Sequence, residues 1–423
     1  MKRLKVLLLI GLTLIIAAGS LFAAGGKQTG GSSNEITLLL LNSFMSTDDP
    51  MGAQVLKAVK EFEAENPGVK VNLQGTSQQD ILEQFKTLAL AGSGPDVAVM
   101  DNSGHAIDLA AMNLLLPLNN FITDADLTSY YAEGPLNSGK FRGTYYSIPW
   151  YMDNCGLLYN VKRLKDLNIE PPKTWVQLED AISKLTKAGY GGIISYLSAY
   201  EMYPFFYQNN NAVIDTSGNT PEVVINNAAG KEAWNYWTGL HIKYGGFVES
   251  FKEANTWDKV YEPLASGEAT FLIGGDWCVT GVKKLNPNLE VGILPMPEGK
   301  SKATALGGWT WNINRNSKNP KLAYDFIRYI TSPERDYIIK ADGRLPGRKN
   351  VDYNQYLAAY PERLVFASQV PYTKPRPAII NEKAIDKLIT DAFLRVLYNQ
   401  QTPQQALDQV EKELKQNITD NYK

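Results

Sequence analysis

The stretch GKFRGTYYSIPWYMDNCGLLYNVKRLKDLNIEPPKTW, residues 139–175, decides the fold of this chain. It begins with an aromatic-rich loop, runs into the polar pair Asp153-Asn154 and continues as an apolar strand over residues 155–159. Two prolines then separate this strand from the start of a new helix. Aromatic faces beside a carboxylate and an amide suit a ligand that is apolar on its faces and hydroxylated on its rim, as sugars are. The alternative interpretation is a loop of aromatic side chains that packs over a core.

The length and composition are those of a soluble globular protein with two domains. At 423 residues the chain exceeds the size at which one hydrophobic core usually stops growing. A hydrophobic content of 44% and a charged content of 20% are ordinary for a globular protein. Because the net charge is -2, nothing indicates an electrostatic surface for nucleic acid, which we do not expect as a partner.

The N-terminus has the order of a secretory signal peptide. Three of the first five residues are basic, an apolar run follows over residues 6–18, and small residues surround Ala23. We therefore expect a signal peptide over residues 1–24, a flexible tether over residues 25–34, and export to the periplasm or the extracytoplasmic face of the bacterial membrane. The alternative is a retained membrane anchor, although the run is short for a span.

Strands and helices alternate in the first part of the chain. Apolar strands are expected at residues 36–41, 69–73 and 96–100, with helices between them. This order favours a parallel sheet with right-handed crossovers, in which ligands bind outside the carboxyl ends of the strands. The residues that follow two of these strands, and that we therefore predict at the rim of a cleft, are Asn42, Ser43, Asp101 and Asn102. The alternative is turn chemistry, because Asn and Asp tolerate turns.

A second α/β region begins near Cys155. Its helices are predicted at residues 175–187 and 228–244, and its strands at residues 193–197, 269–273 and 291–294. A further strand over residues 306–311 and helices over residues 384–397 and 403–414 follow. This second alternation of strands and helices agrees with the two domains that the length predicts.

Cysteine and histidine are scarce in this chain. The two histidines, His105 and His241, lie in different predicted regions, and no spacing of His, Cys and carboxylates indicates a metal site. The two cysteines, Cys155 and Cys278, are expected as one disulfide or as two buried thiols. We therefore expect neither a metal nor a cofactor.

Several short motifs resemble one family of proteins. They are Ile148-Pro149, Leu158-Tyr159-Asn160, Pro172-Lys173-Thr174-Trp175, Gly307-Gly308-Trp309, Thr331-Ser332-Pro333-Glu334 and Gly343-Arg344-Leu345-Pro346. Over roughly residues 36–415 the chain is similar to the extracellular solute-binding proteins of sugar ABC importers, the maltose-binding-protein-like family 1. The resemblance implies an α/β fold of the two-lobed periplasmic-binding-protein type (type II). Each lobe of that fold is expected to be a mostly parallel sheet flanked by helices, with the ligand cleft between the lobes.

The resemblance also implies that each lobe is discontinuous in sequence. Strands should cross between the lobes near residues 149–153, 295–298 and 345–348. The N-terminal lobe is then residues 35–149 plus 298–345, and the C-terminal lobe is residues 150–297 plus 346–423. A member of this family binds a mono- or oligosaccharide with high affinity by lobe closure and delivers it to ABC-type permease subunits in the membrane. The resemblance further implies a monomer that is not an enzyme.

The candidate binding residues combine aromatic faces with charged or amide groups. The predicted set is Asn42, Ser43, Asp101, Asn102, Trp150, Tyr151, Asp153, Tyr200, Asp276, Trp277, Gly308, Trp309 and Arg344. Trp150 lies at the first predicted crossing, and the Gly-Gly turn before Asp276 lets the backbone approach a ligand. Tyr200 lies in a loop that resembles the second-lobe binding loop of the family. We expect rings to pack on sugar faces and charged groups to bond hydroxyls, with Trp309 rather than Trp311 as the exposed platform.

Two other functions fit the same residue types. A secreted carbohydrate-active hydrolase would place two carboxylates around a glycosidic bond, for which Asp101, Asp153 and Asp276 are candidates. A binding protein for a polyol or a glycerol phosphate would use the same two-lobed fold. Carbohydrate binding without catalysis is the expected function, because the resemblance to a two-lobed receptor counts against a hydrolase.

Overall fold

The structure, a computed structural model, describes residues 34–218, 220–335 and 337–422. The predicted signal peptide, and all of the predicted tether except residue 34, lie outside the described residues. Across the described ranges, no helix combines the length and the apolar content that a membrane crossing requires.

Strands and helices alternate along most of the described chain. The strands are β1 (Glu35–Leu41), β2 (Lys70–Thr76), β3 (Val97–Asp101), β4 (Lys140–Phe141), β5 (Thr144–Tyr145), β6 (Ser147–Asn154), β7 (Gly156–Asn160), β8 (Gly191–Ser195), β9 (Ile214–Asp215), β10 (Glu222–Val223), β11 (Ala269–Gly274), β12 (Val291–Pro295), β13 (Thr304–Ile313), β14 (Leu345–Pro346) and β15 (Thr373–Lys374). The helices are α1 (Pro50–Glu65), α2 (Ile81–Leu90), α3 (His105–Ala111), α4 (Asp124–Tyr130), α5 (Glu133–Asn137), α6 (Val161–Asp166), α7 (Trp175–Lys187), α8 (Tyr203–Gln208), α9 (Ala228–Ile242), α10 (Trp257–Ser266), α11 (Trp277–Leu285), α12 (Pro320–Ile330), α13 (Tyr337–Asp342), α14 (Tyr353–Tyr356), α15 (Leu364–Ser368), α16 (Glu382–Leu397) and α17 (Pro403–Asn421). The strands and helices predicted from the sequence overlap these elements, and α7 has the predicted bounds.

Seven strands form the sheet of the first lobe, in the order β14-β6-β13-β3-β1-β2 with β15 beside β13. As predicted, β1 pairs in parallel with β2 and β3. In contrast, β13 pairs antiparallel with β3 and β6, and β14 pairs antiparallel with β6. The direction of β13 is reversed because it enters this sheet from the cleft edge, after the chain has returned from the second lobe. The expectation of a mostly parallel sheet is therefore wrong, and the sheet is mixed.

Four strands form the sheet of the second lobe, in the order β12-β7-β11-β8. β11 is parallel to β8, whereas β7 is antiparallel to both β11 and β12, so this sheet is mixed too. β7 follows β6 after the single residue Cys155, so the chain passes directly from one sheet to the other there. The first-sheet pairing extends through Asn154, beyond the predicted boundary at residue 149. The limits of the two lobes stay a prediction.

Local sequence accounts for the helices that cover the sheets. Helix α1 begins at Pro50, a position where a backbone N–H would have no partner within the helix, so proline removes no hydrogen bond. The Asp49 side chain caps this helix by accepting a hydrogen bond from the Gly52 backbone at 3.0 Å. Its buried face is apolar and contributes to the first of two hydrophobic clusters, one around each sheet. The two cysteines, Cys155 and Cys278, are free thiols buried in the second cluster, so the disulfide alternative is wrong.

Candidate ligand-binding cleft

The carboxyl ends of strands from both sheets converge on one group of polar side chains. Asp101 ends β3 and Asp153 lies near the end of β6, while Asp276 follows β11 of the second sheet. Tyr200, in the turn after β8, donates a hydrogen bond to Asp153 Oδ1 at 3.1 Å. Arg344, just before β14, has its Nη1 atom 3.7 Å from Asp276 Oδ1. We call the region around these five residues the cleft.

The Asp276 carboxylate is buried without a hydrogen-bond donor. The residue is 2% exposed, and neither of its carboxylate oxygens accepts a hydrogen bond from any described residue. Burial raises the pKa of Asp276, and the guanidiniums of Arg344 and Arg363 oppose that rise. Since an unpaired buried polar group costs free energy, this carboxylate is placed for a donor that the described residues do not supply.

The turn before Asp276 is built around an indole ring. A Cβ atom on Gly275 would lie 1.9 Å from Trp277 Cζ3, so this position requires glycine. The Arg363 guanidinium donates to the Asp276 carbonyl oxygen, and its Nη2 atom donates to Thr280 Oγ1 at 2.8 Å. The Gly-Gly turn therefore accommodates the Trp277 ring, and Arg363 fixes the backbone from which the Asp276 side chain extends.

Arg344 is held by the first lobe and points at the second. Its Nε atom donates to Asp342 Oδ1 at 2.9 Å, and its guanidinium carbon lies 5.2 Å from the centroid of the Tyr151 ring. Gly343, which ends α13, has a φ of 76°, a conformation that favours glycine. Asp342 and the Tyr151 face thus orient Arg344 toward Asp276, whose burial the guanidinium partly compensates.

Asp153 carries a proton more readily than an ordinary aspartate. Burial, followed by the neighbouring Asp276 carboxylate, raises the pKa of Asp153 to about 7. A Cβ atom on Gly307 would lie 2.1 Å from Asp153 Oδ1 and 2.6 Å from the Tyr200 hydroxyl, so the approach of these two groups requires glycine. Near neutral pH this carboxyl can either accept or donate a hydrogen bond.

Asp101 has an internal partner that was not predicted from the sequence. The Arg376 guanidinium forms an ion pair with Asp101 Oδ1, and its carbon atom lies 4.9 Å from the centroid of the Tyr200 ring. Arg376 follows β15 in a segment without periodicity or a recognisable motif, so no sequence signal pointed to it. The carboxylate that we expected to bond a ligand hydroxyl is thus already paired, and Arg376 joins the cleft.

Asn102 and Gly308 support the sheet at the cleft edge. The Asn102 backbone donates to the Gly308 carbonyl oxygen at 2.9 Å, and its side-chain oxygen accepts from Ser138 Oγ. Gly308 has a φ of 120°, and a Cβ atom there would lie 2.2 Å from the Tyr151 carbonyl oxygen. Glycine at this position therefore lets β13 approach β6. The Asn102 Nδ2 atom is buried and donates to no described residue.

The tryptophans of the first lobe are core residues. Trp309 is 7% exposed and meets the Phe44 ring edge-on at 5.6 Å, while Phe44 also meets Trp150 at 5.2 Å. Trp311 is buried and lies 4.8 Å from Trp150. The expectation of an exposed Trp309 platform is wrong, because the Phe44 ring, carried by the turn after β1, covers it. Tyr151 is buried in the same cluster.

Asn42 and Ser43 lie where the strand order predicted them. Both are exposed at the carboxyl end of β1, and the Asn42 backbone donates to the Thr76 carbonyl oxygen of β2 at 2.9 Å. They flank the turn that carries Phe44. Their exposed side chains leave them free to contact a solute from the first lobe.

A wall of half-buried aromatic side chains lines the second lobe. This aromatic wall consists of Tyr196, Trp257, Tyr261 and Trp277. The Trp257 ring lies 4.7 Å from Tyr196, 5.1 Å from Trp277 and 5.8 Å from Tyr261. Two first-lobe amides touch it: the Gln79 Nε2 atom donates to the Tyr196 hydroxyl at 3.1 Å, and Trp257 Nε1 donates to Gln78 Oε1 at 3.4 Å.

Only Trp277 of the aromatic wall was predicted from the sequence. Tyr196 directly follows β8, so the rule that ligands bind at the carboxyl ends of strands could have identified it. Trp257 begins α10 and carries no comparable signal. The amides Gln78 and Gln79 lie in the turn between β2 and α2, where their role depends on the approach of the other lobe.

Burial also shifts the pKa values of other ionisable groups near the cleft. Burial raises the pKa of Glu201 to about 8 and that of Asp386 to about 6. Burial lowers the pKa of His105 to about 4, so its imidazole is neutral at physiological pH. Within the described ranges, no cluster of His, Cys, Asp and Glu has the arrangement of a metal site.

The comparisons with known proteins agree with this two-lobed arrangement. The GacH receptor of Streptomyces glaucescens, solved without ligand and with acarbose, superimposes with a TM-score of 0.79 at 22% identity, covering 92% of this chain and 99% of that chain. An ABC substrate-binding protein of Listeria monocytogenes, in complex with cycloalternan, gives a TM-score of 0.79 at 21% identity, over 91% and 99% of the two chains. These likenesses confirm the predicted two-lobed type II fold.

Sequence comparisons give the family. The Multiple sugar-binding protein of Streptococcus mutans is 22% identical over 365 residues, which are 78% of this chain and 79% of that protein. A family model described as bacterial extracellular solute-binding protein matches residues 57–365, more than half of the chain. The chain therefore belongs to the bacterial extracellular solute-binding proteins.

Proposed function

We propose that this chain binds a carbohydrate between its lobes outside the cytoplasmic membrane and delivers it to an ABC-type permease. The observation that carries the proposal is Asp276, a buried carboxylate whose two oxygens accept no hydrogen bond from the described residues and whose ion pair with Arg344 is long, at 3.7 Å. Sugar hydroxyls are suited to it, because each donates one hydrogen bond and accepts others. A hydrogen bond to a charged group contributes about 1.5–3 kcal/mol net.

The residue after Asp276 supplies an unpaired donor. The indole N–H of Trp277 is buried and donates to no described residue. A polyhydroxylated ligand offers an acceptor to this group and a donor to Asp276 at the same time. The aromatic wall adds ring faces on which a sugar ring can stack. The proposed contacts are Asp276, Arg344, Asp153, Tyr200 and Trp277, with the aromatic wall and the two amides opposite it.

The relatives support a sugar as the ligand. One is described as a multiple sugar-binding protein, and the two solved structures hold acarbose and cycloalternan. The N-terminal signal pattern and the extracellular nature of the family support export, with the permease as the partner in the membrane. We expect a monomer, as for other receptors of this kind.

Closure of the lobes is the step that a permease would recognise. The Lys383 Nζ atom donates to the Gln79 carbonyl oxygen at 2.6 Å and Arg376 pairs with Asp101, which add to the contacts of Gln78 and Gln79 with the aromatic wall. A bound sugar would stabilise this closed arrangement by filling the space between the lobes.

We propose that the protein is not an enzyme, although two carboxyls meet in the cleft. Asp153, with its raised pKa, and Asp276 could act as acid and base in a hydrolase. The family to which the chain belongs consists of solute-binding proteins. Binding without bond cleavage is therefore the proposed function, and a hydrolase is the alternative.

A titration with an assay for hydrolysis tests the proposal. The mature protein would be titrated with mono- and oligosaccharides while tryptophan fluorescence is followed, because Trp257 and Trp277 line the proposed site. We expect saturable binding of at least one neutral sugar, with the sugar recovered intact. Cleaved product would support the hydrolase, and no response to any sugar would contradict carbohydrate binding.

A further inference from the structure

The ionisable groups around the cleft are mostly acidic. The carboxyl groups are Asp101, Asp153, Glu201, Asp276, Asp342, Glu382 and Asp386, and the guanidinium groups are Arg344, Arg363 and Arg376. Lys383, on the same helix as Glu382 and Asp386, adds a fourth positive group, so the formal charge is 4 − 7 = −3 when all are ionised. Burial raises the pKa of Asp153 to about 7 and that of Glu201 to about 8, and it also raises the pKa of Glu382, so the net charge near neutral pH is less negative than this value.

Each of the three guanidinium groups is already engaged by the protein. Arg344 donates to Asp342, Arg376 pairs with Asp101, and Arg363 bonds the Asp276 carbonyl oxygen and Thr280. The Asp276 carboxylate, in contrast, receives no hydrogen bond from the described residues. The Nε atoms of Arg363 and Arg376 are also buried without an acceptor, but Asp276 is the one of these four groups whose charged atoms make no hydrogen bond to a described residue.

We propose that the cleft accepts neutral or amino-substituted sugars and rejects phosphorylated and acidic ones, with Asp153 and Asp276 as the residues that impose this selection. The inference rests on the proposed carbohydrate binding and narrows its ligand class. It also separates this chain from receptors for glycerol phosphate or sugar phosphates.

The physical basis is the cost of adding an anion to a buried, negatively charged site. A phosphate or carboxylate loses its hydration on entry, and each guanidinium among the described cleft residues already bonds a protein acceptor, so compensation for that loss is small. It also lies close to Asp276 and Asp153, and like charges brought together at an interface disfavour binding strongly. A hydroxyl donates to Asp276 without this cost, and an ammonium group would pair with it.

The experiment compares sugars that differ in charge and little else. The sets are glucose, glucosamine, glucose 6-phosphate and glucuronate, and trehalose and trehalose 6-phosphate, each measured by isothermal titration calorimetry. We expect each acidic member to bind about 100-fold more weakly than the neutral member of a set that binds. Acidic and neutral members within about tenfold of each other would overturn the inference.

Two variants and one control test whether Asp276 and Asp153 cause the preference for neutral over acidic sugars. Asp276→Asn and Asp153→Asn each remove a charge with little change of shape, and each should narrow the ratio of neutral to acidic affinity by about tenfold or more. Asp180→Asn makes the same charge change on the exposed face of α7, where Asp180 pairs with Lys184 at 2.7 Å. This control should leave the ratio unchanged, and a ratio that falls equally in all three variants would overturn the assignment.

The salt dependence of this affinity ratio distinguishes repulsion by buried carboxylates in the cleft from repulsion by charges on the protein surface. Surface charges are largely screened beyond about 10 Å at 0.1 M salt, whereas buried groups are screened much less. The ratio should persist in about 0.5 M sodium chloride, and its disappearance would contradict selection by buried carboxylates. Tight binding of an acidic sugar would overturn this inference and leave carbohydrate binding intact, whereas silence of the whole panel would overturn both.

Discussion

The two lobes use aromatic side chains in opposite ways. Trp150 and Trp309 of the first lobe are packed into the core beneath Phe44, whereas Trp257 and Trp277 of the second lobe are half-buried and line the cleft. In sequence all four tryptophans sit in similar polar and aromatic surroundings. The difference arises because the turn after β1 places a phenyl ring over the first-lobe pair. The sequence alone therefore does not tell which aromatic residues near a cleft support the core and which contact a ligand. That distinction depends on the element that packs against them.

The largest expected effect tests this division directly. Trp150→Ala should destabilise the protein by about 3–5 kcal/mol, because it leaves a cavity in a packed core. Trp257→Ala should cost less, about 1–2 kcal/mol, since part of its ring is already in water. Its sugar affinity should fall about tenfold or more, because a ring face that stacks on the sugar is lost.

Urea unfolding and sugar titration of both variants provide the measurement. We expect Trp150→Ala to lower the free energy of unfolding more than Trp257→Ala does. We expect Trp257→Ala to lower the sugar affinity more, once each affinity is corrected for the fraction of folded protein. If Trp257→Ala binds sugar as the wild type does, the aromatic wall is not a contact surface and the comparison between the lobes fails.

A second test compares the effect of the Asp276 charge on sugar affinity with its effect on stability. Asp276→Asn should weaken sugar binding by about 1.5–3 kcal/mol, or roughly 10- to 150-fold, because a neutral amide is a poorer acceptor than a carboxylate. The unliganded protein should be as stable as the wild type or more stable, because Arg344 keeps its bond to Asp342 when its long ion pair with Asp276 is lost, and because a buried carboxylate whose oxygens accept no hydrogen bond is removed.

Opposite signs in binding and stability are the signature of a ligand site. Asp180→Asn, an exposed change of equal charge, should alter neither quantity. A loss of stability in Asp276→Asn that matches its loss of affinity would show that this carboxylate serves the fold instead.

Much of the fold, and part of the cleft, could be predicted from the sequence. Apolar runs and capping residues predicted α7 and β1 nearly to the residue, the strand-end rule predicted the position of Asp101, and the Gly-Gly turn pointed to Asp276. These signals are local, since each depends on a few neighbouring side chains. The direction of β13 was beyond them, because it depends on the side from which the chain re-enters the first sheet.

The remaining errors have the same origin. The burial of Trp309 depends on Phe44, which is 265 residues away in sequence (309 − 44 = 265). Arg376 has no motif, and it reaches Asp101 only because the segment after β15 lies across the cleft edge. Contacts made across such separations in the chain cannot be read from periodicity and spacing.

The comparison between the lobes extends to ionisation, because each lobe holds a buried carboxyl whose pKa lies at or just above neutral pH. The pKa is about 7 for Asp153 of the first lobe and about 8 for Glu201 of the second, both above the unfolded values. The folded state therefore holds these protons more tightly than the unfolded state does. The stability that they contribute is full below about pH 4, declines as pH rises, and is lost above about pH 8.

His105 changes the stability in the opposite direction, and it does so at lower pH. Its pKa falls from 6.5 to about 4, so stability rises with pH between these values. The melting temperature should thus fall most clearly between about pH 6.5 and 8.5, where Asp153 and Glu201 release their protons and His105 is already neutral. Glu201→Gln should flatten the upper part of this decline, and Asp153→Asn the lower part. A melting temperature that is constant over this window would contradict the assignment.

The smallest expected effect concerns the contact between the two regions. Gln79→Ala removes the hydrogen bond from the Gln79 amide to the Tyr196 hydroxyl, while the backbone carbonyl that accepts from Lys383 is retained. A neutral hydrogen bond contributes about 0.5–1.5 kcal/mol, so sugar affinity should fall roughly 2- to 12-fold, mainly through faster dissociation. The stability of the free protein should not change, because the bond joins the lobes and supports neither core.

A double-mutant cycle isolates this bond. Tyr196→Phe also removes the hydrogen bond to the Asn255 carbonyl oxygen, so its effect alone overstates the contact with Gln79. The double variant Gln79→Ala/Tyr196→Phe should bind as Tyr196→Phe does, because the shared bond is lost only once. Additive losses in stopped-flow dissociation rates would mean that Gln79 and Tyr196 act separately. The aromatic wall would then contribute its rings to the ligand, and the lobes would be joined by other contacts such as that of Lys383 with the Gln79 carbonyl oxygen.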